Sequence, residues 1–452
     1  MDHNPTARGP VQGALERLLP GLPSHAPATL VLRVSAVGLE FLCLLALARV
    51  LDGEAYGRYA LAMTLVAIFA VPAAFGFDRL VVRELAACQA VGDWPLANGL
   101  RRSALRTVLV AGAVSAVAAW LAGRLVVQPD AADAGRAIAI AAVMVPILAL
   151  ARLRQATLQG LGHVTAGLAP EFLVQPAIVI ALAAVLLVAP QLPRSATVAM
   201  ALQMAAAAAA LLLGAAILRQ RMPEAMREAA PRFRTRDWRR AGMAFMALVL
   251  MTTALTNVDT LLVGRLSGNA DAGVYKVASQ LAMLVGLPLT AISVAMAPVI
   301  AALHAGGRVD ELRLRSRAAA RMIFAAACGV GVLVVACGPR VLAAFGGEFG
   351  VGYVPALILA GAYLVHSAMA TSGYLLIMTA HETAVMAAFA AGTAVNVVGG
   401  LLLIPRYGLA GAAASTAVSL CLVSVTCAVL ARRRLGIDGT VFAAAPDPVA
   451  PA

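Results

Sequence analysis

The sequence predicts an all-α integral membrane protein with about twelve transmembrane helices in two pseudo-symmetric six-helix lobes. Three observations predict it. Hydrophobic residues make up 62% of the chain and charged residues 13%, against roughly half and a quarter in soluble domains. The apolar residues gather into repeated runs of about 18 or more, the length that carries a helix across a bilayer. Finally, a short polar knot occurs twice. "LARVLDGEAYGRYALA" at 47–62 aligns without a gap on "VGRLSGNADAGVYKVA" at 263–278, 216 residues on. Arg49 then matches Arg265, Gly57 matches Gly273, Tyr59 matches Tyr275 and, further along, Pro72 matches Pro288.

Residues 1–27, with several prolines, read as a cytoplasmic segment. The first apolar run is too long for the core of a cleavable signal peptide, so it stays as the first helix. Hydropathy places spans near 28–50, 59–77, 106–127, 134–151, 168–189 and 196–218. After a basic linker (219–242) come 243–266, 275–299, 319–338, 353–379, 384–404 and 408–431. The lobes are thus 28–218 and 243–431, and a tail over 432–452 is expected to be disordered. With the N-terminus inside, 25 of the 35 Lys and Arg residues fall in cytoplasmic connections. That bias sets the orientation, with both termini cytoplasmic. The linker holds eight arginines against three acids over Arg219–Arg240, which reads as topology or as a surface for anionic headgroups.

Six spans return the chain to its starting side, so the two halves run in parallel, an organisation with a substrate site between repeats in many transporters. Ionisable residues inside spans are the candidates for that site, because a charge in the bilayer costs about 2.5–3.5 kcal/mol on insertion scales. Arg33 and Glu40 lie seven residues apart on one face of the first helix. Thr252, Thr256 and Asp259 form a stripe on the seventh. Glu171 and Gln175 precede Pro176, and His366 and Asn396 sit mid-span. Each has a structural alternative: a brace, a cap or a satisfied core residue. No nucleophile–base pair, metal-ligand cluster or phosphate loop accompanies them, and the outer loops are short. An enzyme is not expected. The six cysteines lie in or beside apolar segments without metal spacing and read as packing residues.

The stretches "LARVLDGEAYGRYALA", "FDRLVVRELA", "LQGLGH", "VDTLLVGRLSGNADAGVYKVASQLA" and "LLLIPRYGLAGAAAST" together resemble the polysaccharide-transporter (Wzx-type oligosaccharide flippase) family. That family belongs to the MOP superfamily, with the lipid II flippases and the multidrug and toxin extruders. The resemblance covers essentially residues 28–431. It implies alternating access for a polyprenyl-pyrophosphate-linked oligosaccharide in envelope or exported polysaccharide synthesis. It also implies cationic cavity residues, matched here by Arg33, Arg49 and Arg265. Glu40 and Asp259, with Thr256, Glu171 and His366, would serve coupling or line the cavity. No cofactor is implied, while coupling to H+ or Na+ stays open. The implied partners are the lipid-linked substrate, membrane lipids and other polysaccharide-assembly membrane proteins, with no nucleic acid. Two departures stand out: a weakly charged turn "HET" between spans ten and eleven, and no thirteenth or fourteenth span. The alternatives are a multidrug cation antiporter of the same superfamily, disfavoured by 5% aromatic residues, and a membrane polysaccharide ligase or polymerase.

Overall fold

The structure, a computed structural model, describes residues 26–442 apart from 127–131, 190, 192, 307 and 380. Regular structure among them is helical throughout, with no strand. The chain divides into two compact units, Met1–Thr253 and Ala254–Ala452.

The first unit contains α1 (Ala26–Val50), α2 (Gly53–Ala74), α3 (Phe77–Val91), α4 (Trp94–Val126) and α5 (Ala132–Gly160). It continues with α6 (Val164–Ala169), α7 (Gln175–Val188), α8 (Ala196–Arg221), α9 (Glu224–Glu228) and most of α10 (Thr235–Leu255). Its packing centre is α5, which lies against α2, α3, α4 and α8. The sequence of α8 explains the closest of these contacts. Ala199, Ala206, Ala207, Ala210 and Gly214 are its buried face, and small residues let helix backbones approach where lipid supplies no hydrophobic drive. The opposite solution appears on α4, where Leu109, Val110, Val114, Val117 and Leu121 are all exposed on the face a bilayer would cover.

The second unit holds α11 (Val258–Leu266), α12 (Asn269–Met283), α13 (Leu287–Ala305), α14 (Val309–Phe345), α15 (Tyr353–Ala368), α16 (Ala370–Met378) and α17 (Glu382–Leu435). Gly408, at φ 55°, breaks α17 into two helices, three residues after Pro405, whose missing N–H already weakens the ladder there. Against α17 pack α11, α15 and α16.

Nine helices among the described residues are long and apolar enough to span a membrane, and ten with the pair α10 and α11, bent by 42°. Counting the two parts of α17 separately and adding α1 gives the twelve that hydropathy marks. The boundaries differ in a consistent direction. The third and ninth spans begin at Trp94 and Val309, well before the apolar runs at 106 and 319, because a helix continues into the interface once nucleated. Outside the expectation altogether is α3, an amphipathic helix with Phe77, Leu80, Val81, Leu85 and Cys88 buried.

The basic linker is built into the first unit. The Arg232 N–H donates to Pro95 O at 2.9 Å, the Asn98 amide donates to Ala229 O at 2.7 Å, and Arg232 pairs with Asp93. A Cβ on Gly99 would sit 1.8 Å from Arg232 O, so only glycine admits this crossing. Met226 and Trp238 are buried beneath it. In the described part of the tail Ile437 is buried and the Val441 N–H donates to Ala368 O at 3.0 Å, which ties this stretch to its own unit. Residues 1–25 and 443–452 lie outside the described residues.

Candidate functional site

The two knots fold alike only in part. At the first, Asp52 caps α2 by accepting from Ala55 N at 2.7 Å, a geometry that satisfies one orphan amide of the first turn. Arg58 lies 2.6 Å from Glu54 and 3.5 Å from Asp133, and Asp133 in turn accepts the amides of Ala196 and Thr197 at the start of α8, both at 3.1 Å. These charges therefore brace helix ends. At the second knot Gly268 precedes α12 with φ 109° and no side-chain cap. Arg49 and Arg265 occupy the last turns of α1 and α11 and are exposed, where a cation also complements the helix dipole.

The break between α10 and α11 at Thr256–Asn257 ends the expected Thr252–Thr256–Asp259 stripe. Thr252 bonds back to Val249 O at 2.9 Å, and exposed Thr256 accepts from the Asn257 amide at 3.1 Å. Asp259 turns the other way, into the second unit, and is 3% exposed. Its Oδ1 accepts from Thr260 N at 2.7 Å, while Oδ2 accepts from Tyr275 Oη at 2.7 Å and from Thr416 Oγ1 at 2.9 Å. Behind this layer the Asn396 Oδ1 accepts from Ser415 at 3.1 Å, and its amide donates to Leu255 O at 3.0 Å. That last bond satisfies a carbonyl freed by the helix break, as buried backbone requires. A carboxylate thus sits among neutral donors contributed by α11, α12 and α17.

The first unit buries a carboxylate of another kind. Pro176 cannot donate to the preceding turn, and the chain widens into a π-helical turn over Pro170–Val174, a form frequent at functional positions. The turn carries Glu171, which forms an ion pair with Arg154 of α5. Their side chains are 13% and 4% exposed. Arg154 also donates weakly to Gly167 O at 3.5 Å. Space for the guanidinium comes from Gly214, where a Cβ would fall 2.1 Å from Arg154 Nη1. Arg154 Nε and Nη1 and Glu171 Oε2 have no hydrogen-bond partner among the described residues.

A cavity of about 500 Å³ opens between α3 and α5 in the first unit. It is lined from α3 by Asp78, Arg79 and Val82, and from α5 by Arg152, Gln155, Ala156 and Gln159. The spacings i, i+1, i+4 and i, i+3, i+4, i+7 put each set on one helix face.

Of the residues singled out in the sequence, Asp259 and Glu171 are buried in separate polar clusters, one in each unit. His366 is held by Ser424, with 2.7 Å from Nδ1 to Oγ. Glu40 is exposed on α1, within electrostatic reach of Cys43 and Tyr59. The side chain of Arg33 lies outside the described residues. Sequence reasoning missed Arg154, Thr416 and the polar lining of the α3–α5 cavity, and it marked Tyr275 only as the repeat partner of Tyr59, not as a donor to Asp259. For the cavity a signal existed, since Asp78, Arg79 and Gln159 fall within "FDRLVVRELA" and "LQGLGH".

Several solved structures share this fold. An inward-facing multidrug resistance MATE transporter of the MOP superfamily superposes with TM-score 0.76 and 15% identity, over 90% of this chain and 98% of that one. The lipid II flippase MurJ, in an inward closed conformation, gives 0.63 and 10% over 88% and 87%. A MOP-superfamily transporter from Pyrococcus furiosus, whose binding pocket is described as reversed in polarity, gives 0.63 and 14% over 93% and 97%. No curated protein sequence matches. The fold is therefore that of the MOP-superfamily transporters, an all-helical, multi-pass membrane architecture. Within that class a sequence profile described as polysaccharide biosynthesis protein matches residues 27–304, and a second, MatE, matches 244–383. The first covers more than half of the chain, and the protein belongs to the polysaccharide biosynthesis protein family.

Proposed function

We propose that the protein is a flippase that moves a polyprenyl-pyrophosphate-linked oligosaccharide across the inner membrane by alternating access, for an envelope or exported polysaccharide. The polysaccharide biosynthesis profile over residues 27–304 carries this reading. Exposed Arg49 and Arg265 support it, because a guanidinium recognises phosphoryl oxygens bidentately. Arg33 is the third cationic candidate. Asp259 is the coupling residue in this reading. Its donors are neutral, so an incoming H+ or Na+ meets an uncancelled carboxylate. Glu40 is the second coupling candidate, while Glu171, Thr256 and His366 position helices. Both termini are cytoplasmic on this reading. In a cysteine-free background, cysteines near Asp271 and Ala344 then label from outside, and one at Arg227 labels only after permeabilisation.

The direct test is reconstitution. Proteoliposomes holding a fluorescent short-chain polyprenyl-pyrophosphate oligosaccharide should expose the inner-leaflet label to an impermeant quencher only when the protein is present. Asp259→Asn should slow this at least ten-fold at unchanged protein level. The MatE match over 244–383 favours a second reading, a cation-coupled multidrug antiporter. Efflux of an organic cation, with no flipping under an H+ or Na+ gradient, would establish that reading and remove the first.

A further inference from the structure

The cavity between α3 and α5 is lined by two guanidiniums, two carboxamides and one carboxylate. Among the described residues the side chains of Asp78, Arg79, Arg152, Gln155 and Gln159 form no hydrogen bond or ion pair. Asp78 acts electrostatically on Arg152 without closing onto it. Four of the five are half-buried. Polar groups withdrawn from bulk water normally find partners, and four half-buried ones gathered in one cavity beside exposed Arg79 offer a surface that a ligand can complete.

The chemistry of the set narrows the ligand. Two guanidiniums on facing helices offer paired N–H forks, the geometry that phosphoryl oxygens accept. Asp78 argues against a bare polyphosphate, since a carboxylate repels it. Together with Gln155 and Gln159 it suits hydroxyl groups instead, which both donate and accept. Among the described residues no aromatic side chain lines the cavity, so they offer no stacking surface for a planar organic cation. About 500 Å³ lies inside the usual range for small-molecule sites. Location agrees. The cavity lies at the end of the unit where α2 finishes, α4 begins and the basic linker docks on Pro95 and Asn98.

We infer that this cavity binds the pyrophosphate–sugar head of the lipid-linked oligosaccharide at the basic end of the first unit, before translocation. Arg79 and Arg152 hold the phosphoryl oxygens, and Asp78, Gln155 and Gln159 take hydroxyls of the first sugar. The assignment rests on the flippase reading and adds to it a loading site apart from Arg33, Arg49 and Arg265.

The test is binding to the full-length protein in nanodiscs, measured by native mass spectrometry with geranylgeranyl pyrophosphate and its N-acetylglucosamine-linked form. Wild type should bind the sugar-linked lipid more tightly than the bare pyrophosphate. Inorganic pyrophosphate should compete at high concentration and phosphatidylglycerol should not. The double change Arg79→Gln with Arg152→Gln should weaken both lipids at least ten-fold. Asp78→Asn should weaken the sugar-linked form several-fold and leave the bare pyrophosphate equal or tighter. If the double variant fails to fold, Arg152→Lys replaces it. Lysine keeps the charge without the fork, and an intermediate loss is expected. Wild-type affinity in the arginine variants would overturn the site and leave the flippase reading standing. Equal competition by phosphatidylglycerol would reduce the cavity to a general headgroup site and overturn it too. Failure of the wild type to bind either pyrophosphate would bring down the flippase reading itself.

Discussion

Glu171 in the first unit and Asp259 in the second are carboxylates largely withdrawn from solvent, one in a helical span and one in the second member of the bent pair α10 and α11, and their surroundings differ in kind. Glu171 is met by the guanidinium of Arg154, so its site is neutral overall. Asp259 is met by a backbone amide and two hydroxyls, so its site is negative whenever the carboxyl is ionised. The repeat sharpens the contrast. At the offset of 216 Tyr275 corresponds to Tyr59, both buried, but Asp259 corresponds to Cys43, whose thiol donates to Pro176 O at 3.3 Å. The first unit thus has the tyrosine without a carboxylate at the position matching Asp259. In a medium of low dielectric an ion pair locks two helices together, whereas a carboxylate among neutral donors is ready to take up a cation. The two units share a sequence repeat, yet one holds its carboxylate in an ion pair and the other among neutral donors.

The largest expected effect tests the brace. Arg154→Ala leaves Glu171 buried without its cation and should cost about 3–5 kcal/mol, the range for breaking a buried pair from one side. Thermal unfolding in detergent reads this directly. Arg154→Met with Glu171→Leu should recover most of the loss, because an absent pair is better tolerated than an orphaned charge. A double variant as unstable as the single one would mean that the pair is not what holds α5 to the π-helical turn.

At the second carboxylate the order of effects should invert. Tyr275→Phe removes a donor from a buried charge and should cost about 1.5–3 kcal/mol. Asp259→Asn loses hydrogen-bond quality but also removes the buried charge, so it should cost less, about 1 kcal/mol. On the flippase reading its damage falls on transport and not on unfolding. An Asp259→Asn protein as unstable as Arg154→Ala would erase the distinction between the two sites.

Hydropathy makes the spans legible because a bilayer tolerates almost nothing else over twenty residues. Charge at depth makes Asp259 and Glu171 legible for the same reason. Their partners are not, because partnership is made by packing across helices far apart in sequence. Thr416 lies 157 residues from Asp259, and a threonine in an apolar run is unremarkable by itself. Arg154 is hidden differently. It lies six residues before the end of α5, beside Arg152, where arginine is expected from topology alone. Its pair with Glu171, its burial and the space at Gly214 show that it turns inward. The stripe through Thr256 fails because hydropathy sees a continuous span and not the break at Asn257.

The smallest effect returns to the knots. Asp52→Ala removes the side-chain cap of α2 and should cost about 1 kcal/mol, seen as earlier unfolding and faster hydrogen exchange in the first turn. By sequence alignment Gly268 looks like a missing cap at the same position, and Gly268→Asp looks like a repair. The backbone argues otherwise, since φ at Gly268 is 109°, a conformation L-residues adopt rarely and at a cost. Space is not the obstacle, because a Cβ there would meet nothing within 4 Å. Gly268→Asp should therefore destabilise the second unit by about 1–3 kcal/mol, and Gly268→Ala by a similar amount. Stabilisation by Gly268→Asp would show that the two knots are interchangeable. The expected loss would show that they enter their helices by different backbone routes, one through a side-chain cap and one through glycine.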